Sequence, residues 1–167
     1  MRKILFALVL IFALVGCSSQ KSNKADMSAY NIEGNDIRFL QDDYNSMISN
    51  LSDKKEGIYF IGFDECPWCQ EFVPVLNEVL VTANKDAYYI DVRSNSFTQD
   101  IATKLETFDG TLGKDSSQGS VPFLVVVDAQ GQIKTHLGTV EGHNAKVAKM
   151  TESQRSQLVQ ILTDLIN

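Results

Sequence analysis

Apolar and polar positions alternate along this chain with three distinct periods, and the periods divide it. Ile4 to Val15 carries no polar side chain and follows the basic start Met1-Arg2-Lys3. Twelve apolar residues fall short of the roughly 20 that span a bilayer. They fit the central stretch of a secretory signal, so residues 1–16 are read as a leader and not as structure. Residues 17–30 are polar and show no apolar period, which predicts a flexible tether. From there residues 31–167 read as one domain.

Within that domain, Ile37, Leu40, Tyr44, Met47, Ile48 and Leu51 recur at three- and four-residue steps, predicting a helix capped by Asn35 or Asp36. Ile58 to Phe63 is a continuous β-rich run, as expected for a strand covered on both faces. Phe72, Val73, Val75, Leu76, Val79 and Leu80 predict a second helix, with Pro74 expected to kink it. Ala87 to Val92 reads as a strand. Ile101, Leu105 and Phe108 mark a short helix capped from Ser96 or Thr98, and 109–120 reads as an irregular loop. Val121 to Val127 is the most strand-like run, and Asp128 to Gln132 turns it back into Ile133 to Leu137. Residues 138–150 form a second loop. Thr151 with Gln154 then opens a last helix with Leu158, Val159, Ile161, Leu162, Leu165 and Ile166 inward. This order of elements predicts an α/β fold with a mixed central sheet and helices on both faces.

The 167 residues suffice for one well-buried core, and 44% apolar with 22% charged is an ordinary globular balance. Loss of 1–16 removes Arg2 and Lys3 and no acid. That leaves 13 of the 15 basic residues against 21 acidic ones, a net charge of −8. So acidic a surface excludes nucleic acid and anionic headgroups as expected partners. Leu14-Val15-Gly16-Cys17 resembles the bacterial lipobox, which implies lipidation at Cys17 and attachment to the extracytoplasmic face of the cell membrane. One acyl chain anchors only marginally, so Cys17 is expected to carry two or more.

Cys66-Pro67-Trp68-Cys69 carries the candidate chemistry. A disulfide across two residues closes too small a loop to staple a fold, which tilts the pair toward redox work. A cysteine at a helix start faces unpaired N–H groups and the positive end of the helix dipole, both of which favour its thiolate. Cys66 is therefore expected to be exposed and nucleophilic. Cys69, one turn later, is expected to resolve the mixed disulfide by attacking Cys66. Pro67 suits the first helical turn, and Trp68 places an aromatic ring between the sulfurs for contact with a partner chain.

A buried strand, then C-x-x-C at a helix start, then Pro74 five residues after Cys69, resembles the thioredoxin-like superfamily. Val121-Pro122 ahead of a strand, a Gly-containing hairpin and a last helix resembles that family's cis-proline segment, and the likeness covers roughly residues 50–167. Combined with the leader, the pattern is similar to thioredoxin-like proteins of the bacteriocin-transport accessory type. The resemblance implies a three-layer sandwich and a redox-active Cys66–Cys69 disulfide with no other cofactor. It also implies an extracytoplasmic thiol–disulfide oxidoreductase whose partners are exported protein thiols or disulfides and a membrane or extracytoplasmic redox partner. Val121 and Pro122 are the implied substrate-binding residues, with Val121 pairing to an extended client segment. A trans Pro122 opening an edge strand is the competing reading.

Two positions depart from the family. Phe60 stands where many thioredoxins carry a buried acid six residues before the first cysteine, and Glu65 replaces the usual preceding tryptophan. Asp64 and Glu65 read as solvated loop acids. Tyr88 and Tyr89 read as strand core and edge, and Glu141 to Asn144 as a surface turn. Cys66, Cys69, His136 and His143 can be written as a zinc set, but the seven-residue step between the histidines is longer than zinc pairs use, and no metal is expected. A non-catalytic docking lipoprotein for a transporter remains the alternative function.

Overall fold

β3 (Gly57–Gly62) is the strand around which the fold is arranged, and its burial explains its composition. Side chains along a strand alternate between faces. Ile58 and Phe60 enter one hydrophobic cluster while Tyr59 and Ile61 enter another on the opposite side. A strand covered on both faces has no use for polar alternation, hence the unbroken apolar run.

The computed structural model describes residues 23–167, and the leader 1–16 and Cys17 lie outside them. The other strands are β1 (Asn23–Lys24), β2 (Phe39–Gln41), β4 (Ala87–Asp91), β5 (Phe123–Val127) and β6 (Ile133–Leu137). The helices are α1 (Tyr44–Ser52), α2 (Pro67–Ala83), α3 (Gln99–Thr111) and α4 (Glu152–Ile166). The sheet runs β1-β2-β4-β3-β5-β6. β2, β4 and β3 are mutually parallel, while β1, β5 and β6 pair antiparallel to their neighbours. This is a mixed α/β sandwich. One face carries α2 and α4 with Phe60, Tyr89, Leu124 and Val126. The other carries α1 and α3 with Tyr59, Ile90, Phe123 and Val125. Among the described residues no helix is long and apolar enough to cross a membrane.

Three boundaries differ from expectation. Residues 23–30, assigned above to the flexible tether, belong to the domain: β1 pairs with β2, and Ala25, Met27 and Tyr30 are buried. Three apolar side chains spaced along a polar segment escape a helical or strand period, yet they suffice to dock it. The helix expected from Ile37 starts only at Tyr44, where Asp43 accepts the Ser46 N–H, and Phe39–Gln41 is strand β2 on the edge of β4. The three- and four-residue spacing there runs by coincidence across a strand and a helix. The loop expected at 109–120 is partly regular, with α3 reaching Thr111 and a 3-10 turn at Gly113–Asp115. Pro74 sits inside α2, which runs on as one helix to Ala83. Thr98 caps α3, the Thr151–Gln154 capping box is present, and 138–150 contains neither helix nor strand.

Candidate active site

β3 ends at Gly62, the chain turns through Phe63 to Glu65, and Cys66 stands at the N-cap of α2 with Pro67 in the first helical position. The cap is made by sulfur: Cys66 Sγ accepts the Cys69 backbone N–H at 3.3 Å. Cys69 lies one turn on and points inward over the end of β3. A Cβ built on Gly62 would fall 2.6 Å from Phe60 Cζ and 3.1 Å from Cys69 Sγ, so glycine is what lets that sulfur approach the strand. Both are free thiols. Cys69 is 0% exposed, as a resolving thiol should be, but Cys66 is only 4% exposed, against the expectation of an exposed nucleophile. Its thiol faces the Val121 carbonyl oxygen at 3.9 Å, so the segment before β5 shields it from solvent.

The same proximity drives the two thiols apart electrostatically. The Cys69 thiol donating to Cys66, helped by the backbone N–H groups of Cys69 and Trp68, outweighs burial and lowers the Cys66 pKa to about 6. Cys69 moves the opposite way, raised by its hydrogen bond with Cys66 and by desolvation. One sulfur is held ready as thiolate near neutral pH while its neighbour keeps its proton. Environments that split two like groups in this way mark acid and base assignments in active sites.

The Val121–Pro122 peptide bond is cis, with Pro122 buried and Val121 half-buried. Val121 also borders a 160 Å³ apolar hollow lined by Ile61, Phe97, Leu105 and Phe123. Trp68 is half-buried against the α2 side of the core, and the Lys146 ammonium lies over its ring at 5.6 Å. Pro67 and Glu65 are exposed and Asp64 is half-buried. His136 lies in β6 stacked on Phe72, with Nε2 bonded to the Thr139 carbonyl. His143 is bonded to Thr139 Oγ1 and the Ala148 carbonyl. The structure thus brings Cys66, Cys69, Val121 and Pro122 together and puts Trp68 beside them. The histidines order the 138–150 loop instead.

Sequence reasoning missed Tyr30 and Gln70, and read Tyr89 only as a strand residue. Tyr30 and Tyr89 hydroxyls meet at 3.0 Å in the cluster that holds both cysteines. Desolvation raises the pKa of both, with the neighbouring charges of Cys69 and Asp64 adding to it. Gln70 Nε2 donates to the Ala29 carbonyl at 3.1 Å and the Asp64 carbonyl at 2.5 Å, tying the N-terminal segment to the start of α2. A lone tyrosine in a polar stretch is a weak signal, and its partner 59 residues on is invisible without the fold. No protein-family model matches the chain.

Proposed function

We propose that this chain is an extracytoplasmic thiol–disulfide oxidoreductase of thioredoxin-like type, held at the cell membrane through lipidated Cys17 and acting on exported proteins. The supporting observation is the asymmetry of two thiols at one helix start: Cys66 lowered to about 6 and Cys69 raised and fully buried. Thiolate is the attacking species in exchange, so only Cys66 is armed near neutral pH. Its attack on a client disulfide forms a Cys66–client bond and expels one client sulfur as thiolate. Cys69 then attacks Cys66 Sγ, the client's second sulfur leaves with its electron pair and a proton, and the Cys66–Cys69 disulfide forms. The client is reduced by two electrons and the protein oxidised by two. The reverse sequence oxidises a client dithiol. Val121 and Pro122 flank the sulfur that bonds the client, and the apolar hollow beside Val121 suits a client side chain.

The test is a trap. Cys69→Ser should accumulate mixed disulfides through Cys66 with exported proteins. A variant that traps nothing, alongside wild-type protein inert toward disulfide substrates, overturns the proposal. The burial of Cys66 favours a second reading, a docking lipoprotein for a transporter in which the sulfurs do no chemistry. That reading requires Cys66→Ala to keep full biological activity.

A further inference from the structure

Cys66 is delivered to the start of α2 by a short turn, Phe63 to Glu65, that belongs to neither β3 nor the helix. Two backbone bonds steady its ends. The Val92 N–H donates to the Gly62 carbonyl at 3.1 Å, and the Cys66 N–H donates to the Phe63 carbonyl at 3.3 Å. The middle of the turn hangs on a side chain. Gln70 Nε2 donates to the Asp64 carbonyl at 2.5 Å, and no other donor bonds that oxygen among the described residues. A primary amide has two N–H donors. The second goes to the Ala29 carbonyl at 3.1 Å, on the segment that enters from β1 at the edge of the sheet. That segment is a firm footing. β1 pairs with β2, the Tyr30 N–H bonds the Met27 carbonyl at 3.0 Å, and Ala25, Met27 and Tyr30 are buried in the cluster that holds both cysteines. Gln70 is itself fixed in α2, its N–H bonded to the Cys66 carbonyl at 3.0 Å. One residue therefore ties together the helix, the turn before the nucleophile and the N-terminal segment.

We infer that Gln70 is a positioning residue for Cys66: braced against the N-terminal segment, its amide fixes the Phe63–Glu65 turn and so holds the Cys66 sulfur over the open N–H groups of α2. The inference rests on the exchange function proposed above and gives the N-terminal segment a part in the active site. The sulfur accepts the Cys69 N–H at 3.3 Å. Hydrogen bonds weaken steeply once bent. A turn that swings takes the sulfur off that donor and leaves its thiolate less supported. Gln70 makes no hydrogen bond to either sulfur among the described residues, so it acts through the backbone it pins. Its amide is neutral and adds no charge beside the thiolate.

The pH profile of Cys66 alkylation reads the placement of the sulfur, because the thiolate is the species that displaces iodide from iodoacetamide. Gln70→Met keeps the length of the side chain and removes both donors. Labelling of Cys66 near pH 6 should fall about fivefold, the size expected when roughly one net hydrogen bond of support is lost. At about pH 9, where the Cys66 thiol is ionised in both proteins, the rates should agree within a factor of about two. Gln70→Asn keeps an amide but shortens its reach by one carbon. It should slow labelling near pH 6 in the same direction, and it decides the matter if Gln70→Met does not fold. Asp64, Glu65, Cys69, Arg93 over Phe63 and Lys146 over Trp68 are the titratable and charged groups around the turn, and all remain in both variants. Thr82→Val is the control: it removes a bond to the Glu78 carbonyl further along the same helix and should leave the profile as in wild type. A merely structural Gln70 would lower the unfolding midpoint and leave the pH profile unchanged, and that outcome overturns the inference. An equal shift in Thr82→Val also overturns it, because any loosening of α2 would then suffice. Failure of the exchange function looks different: Cys69→Ser traps no client although Gln70→Met still shifts the profile.

Discussion

Titratable groups are buried on both faces of the sheet, Asp109 among α1 and α3 and the two cysteines beneath α2, and the molecule treats them in opposite ways. Asp109 on α3 is 8% exposed and fully partnered. Its Oδ1 accepts the Ser117 N–H at 2.7 Å, and its Oδ2 accepts the Ser116 and Ser117 hydroxyls at 2.8 and 3.0 Å. Burial alone would raise its pKa, but these donors prevail and hold it below the ordinary carboxylate range. On the other face two thiols share a few donors between them, the Cys66 sulfur accepting one backbone N–H from Cys69. A saturated buried charge stiffens a loop and has nothing left to give. An undersupplied one stays reactive.

Variants should break this contrast along predictable lines. The largest effect is on chemistry: Cys66→Ala should reduce disulfide exchange in an insulin-reduction assay to the uncatalysed rate and leave thermal unfolding of the reduced protein nearly unchanged. Gly62→Ala bridges the two behaviours. Its methyl collides with Phe60 and Cys69, so urea denaturation should show a loss of about 3 kcal/mol, with slower exchange as Cys69 is pushed aside. Asp109→Ala belongs wholly to the other side. It strands the buried Ser117 N–H and should cost roughly 2 kcal/mol of stability with exchange intact. The same carboxylate makes stability depend on pH with a definite sign. Its folded pKa lies below the unfolded value, so its contribution is complete above the ordinary carboxylate range and is lost as pH falls through the depressed folded value. Acid denaturation of wild type and Asp109→Asn compared across that window checks this. Thr151→Ala removes the side-chain cap of α4 and should cost only about 1 kcal/mol.

Much of this was legible beforehand because it is local. The run at 58–63, the cap at Thr98, the Thr151–Gln154 box and the Cys66–Cys69 pair each declare themselves within a few residues. Pro122 beside the cysteines came from resemblance, and the fold puts it there. What escaped was held together by distant partners. Residues 23–30 look like tether until β2 and the α2 start supply the surface that Ala25, Met27 and Tyr30 bury against. The Asp109 knot links a helix to polar residues eight positions on that read as loop. Cys66 looked exposed because a helix start usually is, and only the return of the chain at Val121, 55 residues later, covers it.

The measurement closest to the central claim is the pH dependence of alkylation of the reduced wild-type protein by iodoacetamide, with each label located by mass spectrometry. The account predicts label on Cys66 alone, at a rate that rises with a midpoint near pH 6 and is flat above it, while Cys69 stays unmodified. A midpoint near the free-thiol value of about 8.5, or equal labelling of both cysteines, would contradict it.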